Sequence, residues 1–194
     1  MARRQVVFLP DHYYHIYNRG ANRETIFNEE ENYLFLLRRV KEYITKFQIS
    51  MIAYCLMPNH YHILLRQEGE DPISKFIQAV FNSYSKAFNK AFGRTGTLFE
   101  GPFDAIHIDK NAYLIHLCRY IHRNPLEAGL VAHPGEWMYS NYLEWVKKRS
   151  GSLVDREFVQ EYFPDPKDYE RFILEYPPPD KVERAIHLMS LENR

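Results

Sequence analysis

The sequence predicts an α+β domain built on a four-stranded antiparallel sheet. Three observations carry that prediction. Segments with the period-two pattern of strands alternate with two long segments of helical period, in the order strand, helix, strand, strand, helix, strand. Pro58-Asn59 separates two strongly apolar runs and reads as a tight turn between paired strands. The 194 residues, 45% of them hydrophobic, make one domain with room for a sizeable core. This order is the ferredoxin-like arrangement, in which two helices cover one face of the sheet.

The elements follow in turn. Residues 13–17 alternate, are rich in aromatics and end at Asn18-Arg19-Gly20, a strand followed by a loop. Asn28 is placed to cap a helix whose first turn holds Glu29, Glu30 and Glu31. Tyr33, Leu34, Leu36, Leu37, Val40, Tyr43, Ile44 and Phe47 then recur at helical spacing. Ile49, Met51, Ile52, Tyr54, Leu56 and Met57 form the second strand, and residues 60–65 the third. Pro72 opens a second helix with the stripe Ile73, Phe76, Ile77, Val80, Phe81, Tyr84, Phe88 and Phe92, ending near Gly93. Residues 105–108 are the fourth strand. Asp109 is the expected cap of a third helix, which should stop near Asn124 because Pro125 disfavours helical geometry before it. This added helix is expected across the free face of the sheet.

Beyond Gly129, residues 137–146 read as a short aromatic helix or turn, and residues 158–163 and 169–176 as two short helices. Pro177-Pro178-Pro179 is a stiff spacer before a small amphipathic helix at residues 182–189. The expected division is a body at residues 1–149 and a helical C-terminal extension at residues 150–194.

Formal net charge is zero, which excludes blanket attraction to a polyanion. The charge is unevenly spread. Residues 155–194 hold ten acids against six bases, a balance of −4, and leave the body at +4. The 15 tyrosines and 13 phenylalanines suit packing, and they suit stacking on unpaired bases. Cys55 and Cys118 both lie in apolar segments and read as buried, reduced thiols. Neither a secretory leader nor a stretch of transmembrane length is evident, so a cytoplasmic protein is expected.

The residues that carry chemistry lie at the Pro58-Asn59 turn and on the third helix. His60 and His62 are separated by one residue, so on a strand both face the same side while Tyr61 faces the other. Two imidazoles so placed can grip one metal ion, although many such pairs are only packed or solvated. On the third helix, Tyr113, Leu117, Tyr120 and Asn124 fall on one narrow face. If that helix covers the histidine strand, His60, His62 and the Asn124 oxygen can hold a metal with the Tyr120 oxygen beside it. A tyrosine, with an ordinary pKa near 10, is a poor nucleophile unless helped. A metal that polarises a phosphodiester gives that help, and a phenolate leaves well enough to make the link reversible.

Residues 53–64, AYCLMPNHYHIL, resemble the His-hydrophobe-His strand of single-tyrosine HUH transposases of the insertion-sequence type. Residues 120–131, YIHRNPLEAGLV, resemble their tyrosine helix, and in particular that of the REP-associated tyrosine transposases. YHIYNRG at residues 14–20, GTLFEG at 96–101 and WMYSNY at 137–142 fit the same pattern. The resemblance spans roughly residues 10–145. It implies a ferredoxin-like fold and a metal-dependent enzyme that cuts and rejoins single-stranded DNA near hairpins. Tyr120 would be the nucleophile, forming a 5′-phosphotyrosine and freeing a 3′-hydroxyl. His60 and His62 would be metal ligands, with Asn124 as third ligand. Imidazole pairs by themselves favour zinc or another transition metal. The resemblance implies Mg2+ or Mn2+, with phosphate oxygen and water completing the shell, and manganese satisfies both arguments. DNA contacts are expected from Arg19, Arg23, Lys86, Arg94, Arg119 and Arg123, with base stacking on Phe99 and Phe103. Both a homodimer and a monomer occur among such proteins. Two other readings remain: a metal-dependent phosphodiester hydrolase using water, and a DNA hairpin-binding protein without cleavage activity.

Overall fold

Four segments with period-two alternation become four strands, and their order in space follows from the two helical crossovers between them. The computed structural model describes residues 6–175; the triple proline and the last predicted helix lie outside them. The elements run β1 (Tyr13–Arg19), α1 (Glu30–Lys46), β2 (Ile49–Met57), β3 (His60–Gln67), α2 (Ile73–Ala91), β4 (Asp104–Ile108) and α3 (Asn111–Glu127). Three short helices follow, α4 (Tyr142–Trp145), α5 (Arg156–Tyr162) and α6 (Pro166–Leu174). The sheet order is β2-β3-β1-β4, and every pairing is antiparallel. This is the ferredoxin-like topology that the sequence predicts.

Alternation sorts the strands into two cores. Tyr14 and Ile16 of β1, Tyr54 and Leu56 of β2, and Tyr61, Ile63 and Leu65 of β3 pack under α1 and α2. Ala53, Cys55, Met57, Leu64 and Ile108 pack on the other face against Leu114, Leu117, Cys118 and Ile121 of α3. The added helix therefore lies across the face that α1 and α2 leave open, as expected. Helices α5 and α6 complete this second core with Phe158, Val159, Tyr169 and Ile173. Cys55 and Cys118 are free thiols, both buried, as the sequence implied. Among the described residues, no helix is long and apolar enough to cross a membrane.

Three local details differ from the sequence reading. The first helix is capped by Glu29 rather than Asn28, in a reciprocal box with Asn32, whose side chain accepts the Glu29 N–H. The third helix starts one residue later than an Asp109 cap would give, with Lys110 at the cap position and no capping side chain. It also runs through Pro125 to Glu127. Proline removes one hydrogen bond and crowds the preceding turn, but here the helix has only two residues left to run. What ends it is Gly129, at φ 68°, where the chain turns left-handed. The Leu130 N–H then returns to the Pro125 carbonyl and the Gly129 N–H to Leu126. Asn124 is consequently inside the helix, a full turn beyond Tyr120.

Strand β2 carries a bulge between Met51 and Ala53 that periodicity does not reveal. Ile52 and Ala53 both enter the second core, so the ladder skips a residue. The Ile52 carbonyl freed by the skip accepts from Trp145 Nε1 at 3.0 Å and Asn141 Nδ2 at 2.9 Å. The bulge is thus filled from the segment that follows α3.

Candidate active site

The register of β3 against its neighbours sets the floor of the site. His62 lies opposite Tyr17 of β1 and Cys55 of β2, and His60 opposite Arg19 and Met57. Cys55 and Met57 belong to the second core, so both histidines present their rings to the side covered by α3. Tyr61, between them, is buried in the first core and stacks on Phe81 at 4.3 Å. Helix α3 delivers the other two groups. The Tyr120 ring lies 5.3 Å from the His62 ring at a steep angle, and Asn124 Oδ1 is 3.0 Å from His60 Nε2. The two imidazoles are themselves 5.3 Å apart, edge to face. His62 is buried; His60, Tyr120 and Asn124 are half-buried and border solvent. All four residues singled out in the sequence are together in one place.

Hydrogen bonding indicates which atoms are prepared for a cation. Asn59 Nδ2 donates to the Arg23 carbonyl at 3.4 Å, which turns Asn59 Oδ1 toward His60 Nδ1 at 2.7 Å. A carbonyl oxygen can only accept, so Nδ1 carries the proton, and in a neutral ring Nε2 is then a lone pair. The Asn124 carboxamide faces that lone pair, its Oδ1 at 3.0 Å, so an imidazole nitrogen and an amide oxygen converge on one point. The donor set therefore fits a divalent ion held by His60, His62 and Asn124. Among the described residues no three His, Cys, Asp or Glu side chains gather in this way, so the amide is what raises the donors to three.

A third histidine, which the sequence reading did not single out, stands behind His62. His15 of β1 places Nε2 3.0 Å from His62 Nδ1, with the two rings stacked 5.1 Å apart. Burial holds His15 well below the ordinary histidine range, at about 3, so it is neutral. Its sequence signal was available: His15 and Tyr17 alternate with the core residues Tyr14 and Ile16. Which strand they would meet is a matter of sheet order, which alternation does not contain.

Five of the six basic residues proposed as DNA contacts are at least partly accessible, Arg123 only along one side. Arg19 lies across from His60, and its guanidinium is paired with Glu100. Arg94 pairs with Glu24 at 3.0 Å. Arg23 and Lys86 are exposed, Lys86 on α2 in the layer across the sheet from Tyr120. The structure contradicts Arg119 as a surface contact. It is 3% exposed, lies 4.2 Å over the Phe172 ring and donates to His116 Nδ1 at 2.8 Å. Arg123 also turns inward, donating to the Ile173 carbonyl at 2.6 Å while pairing with Glu127. Both arginines fasten α6 to α3, because their long stems pack on apolar surface while their heads find carbonyls. Phe99 and Phe103 are partly buried and pack on the edge of the first core, Phe99 against Tyr61 and Phe81.

Between Tyr120 and Asn124, His122 faces inward and anchors the helix. It is fully buried, with Nδ1 2.5 Å from the Tyr169 hydroxyl and Nε2 2.8 Å from Asn141 Oδ1. Asn141 Oδ1 also accepts the Tyr54 N–H, and its Nδ2 donates to Ile52 and Leu153 carbonyls. Those backbone partners fix the amide orientation. Hence His122 donates from Nε2, and Tyr169 donates to its Nδ1. Burial, partly offset by the bond to Asn141, lowers His122 to about 4 and keeps it neutral. This buried chain ties α3 to the β2 bulge and so sets where Tyr120 sits. Sequence reasoning missed it because its members are 19 to 89 residues apart.

The comparisons agree with this architecture. A family profile described as "Transposase IS200 like" matches residues 8–124. Among solved structures, the REP-associated tyrosine transposase bound to a REP hairpin superposes with a TM-score of 0.64 at 18% identity, covering 80% of this chain and 94% of that one. A candidate transposase from Deinococcus radiodurans R1 gives a TM-score of 0.42 at 19% identity, covering 63% of this chain and 95% of that one. None of the curated proteins matches the chain.

Proposed function

Because the chain belongs to the IS200-like family of transposases, we propose that it cuts and rejoins single-stranded DNA beside hairpins by transesterification at Tyr120. The observation that carries this reading is the convergence of Tyr120 and Asn124 from α3 on the His60 and His62 pair of β3. Cleavage of this kind needs a nucleophile at the edge of an electrophilic site, not a water. Tyr120 Oη would attack the scissile phosphorus while the bond from phosphorus to the 3′ oxygen breaks. The Tyr120 hydroxyl gives up its proton as the new bond forms, the 3′ oxygen takes one up and leaves as a hydroxyl, so protons balance, and the 5′ phosphate stays on the tyrosine. Attack of a 3′-hydroxyl on that phosphotyrosine reverses the step and joins the strands. One phosphodiester is exchanged for another, so no nucleotide hydrolysis is required.

His60, His62 and Asn124 would hold a divalent ion, Mg2+ or Mn2+. A bound ion polarises the phosphate and stabilises the charge that develops in the transition state. His60 is oriented for this by Asn59, and His62 by its neighbours on β1. Arg19, next to His60 in register, is the nearest candidate for the DNA phosphates, at the site that Glu100 now holds. The hairpin carried by the REP-associated structure supports hairpin DNA as the substrate class.

The test is cleavage of single-stranded hairpin oligonucleotides from the DNA flanking the gene, labelled at the 3′ end, with manganese. The expected product is a labelled band that migrates with the protein on a denaturing gel and is lost in Tyr120→Phe and with chelator. Cut DNA without an adduct, retained in Tyr120→Phe, would replace this reading with the water-dependent hydrolase. Binding that survives His60→Ala, with no cut of any hairpin offered, would favour a binding protein.

A further inference from the structure

We propose that His15 is a positioning residue for His62, fixing its ring so that Nδ1 carries the proton and Nε2 is left to face a divalent ion. The proposal rests on the reading of His60, His62 and Asn124 as a metal site. Its basis is one contact and the packing around it. His15 sits diagonally across from His62 on the neighbouring strand, since the directly opposite pairs are His15 with Leu64 and Tyr17 with His62. The two imidazoles approach to 3.0 Å between His15 Nε2 and His62 Nδ1. Tyr17 closes the cluster, its ring 5.0 Å from His15 and 5.9 Å from His62. His15 is 2% exposed and His62 5%, so water has little access to replace the contact.

Two ring nitrogens at that distance share one proton. Either His62 donates and keeps a lone pair on Nε2, or His15 donates and the proton of a neutral His62 sits on Nε2, where it blocks a ligand bond. Binding of an ion through Nε2 selects the first arrangement. Metal-bound histidines ordinarily pass their other N–H to a carboxylate, a backbone carbonyl or a water, which locks tautomer and orientation. Here the imidazole of His15 takes that place. It accepts a hydrogen bond without adding negative charge, so it orients His62 without raising its basicity as a carboxylate would.

The experiment compares the whole chain with His15→Leu, which removes the acceptor, and His15→Gln, which restores one near the position of Nε2. Nitrogen–proton correlation spectra of the metal-free proteins read the His62 tautomer directly. We expect an Nδ1-protonated His62 in wild type and in His15→Gln, and a mixed or Nε2-protonated ring in His15→Leu. Manganese titration followed by electron paramagnetic resonance should show binding weakened about 10- to 100-fold in His15→Leu and recovered in His15→Gln. An Nε2-protonated His62 in wild type overturns the proposal, even if His15→Leu fails to fold. So does a His15→Leu protein that folds with the wild-type tautomer and manganese affinity. If wild type has the Nδ1 tautomer but binds no manganese, the metal-site reading falls and the control of His62 by His15 is judged on the spectra.

Discussion

Acidification should destabilise this protein through His122, by an amount that can be worked out from its surroundings. The ring is fully buried between Trp145, Tyr142, Tyr169 and Asn141. Burial lowers its pKa from 6.5 to about 4, despite the bond to Asn141 that acts in the opposite direction. In the unfolded chain the ring takes up a proton as pH falls through 6.5; in the fold it does not do so until about 4. Between these values the unfolded state binds more protons, so stability rises with pH and is lost on acidification. Integrating the two titrations gives about 2 kcal/mol lost between pH 6.5 and pH 4.5. The measurement is urea unfolding at both pH values for wild type and His122→Gln. Taking the difference removes the carboxylates and His15, which titrate in both proteins. Wild type should lose about 2 kcal/mol more than the variant. Equal losses would refute the reasoning, because His122 would then titrate alike in the folded and unfolded states.

Asn141→Ala removes the acceptor of the buried Tyr54 N–H and of His122 Nε2. At about 1–3 kcal/mol for each orphaned group, the loss should be about 2–6 kcal/mol, measured by urea unfolding. A loss below about 1 kcal/mol would mean that water enters and satisfies both groups. Asn124→Ala should weaken manganese binding by about 10-fold or more while the thermal midpoint changes little, because the side chain is half-buried and bonds only at the site edge. Arg19→Ala should weaken hairpin binding and flatten its salt dependence by about one phosphate contact, read from affinity against salt concentration. An unchanged salt slope would place that phosphate elsewhere.

The sequence located the chemistry well at short range. Period two on β3 put His60 and His62 on one face, and helical spacing put Tyr120 and Asn124 on another, each within a single element. The strand ends around Pro58-Asn59 were legible for the same reason, since turn chemistry is local. Helix ends were read less well. Asn28 and Asp109 looked like caps, yet Glu29 and Lys110 hold those positions, because a cap is selected by how the chain enters the helix. Pro125 looked like a stop, but the left-handed turn at Gly129 is what closes α3. The basic residues were hardest. Arg119 and Arg23 look equivalent in sequence, but one is packed under α6 and the other is exposed.

By itself, then, the sequence determined the α+β class, the order of elements and the two pairs of residues that converge. Side-chain periodicity within an element depends only on backbone geometry, so it survives without knowledge of neighbours. Tertiary structure decided the rest. It placed His15 against His62, filled the β2 bulge with Asn141, and joined Asn141 to His122 and Tyr169. Those contacts link residues 19 to 89 positions apart. Each rests on strand order, register and the docking of α3 across the sheet. These follow from burying two apolar faces at once, a condition on the whole chain that no local pattern expresses.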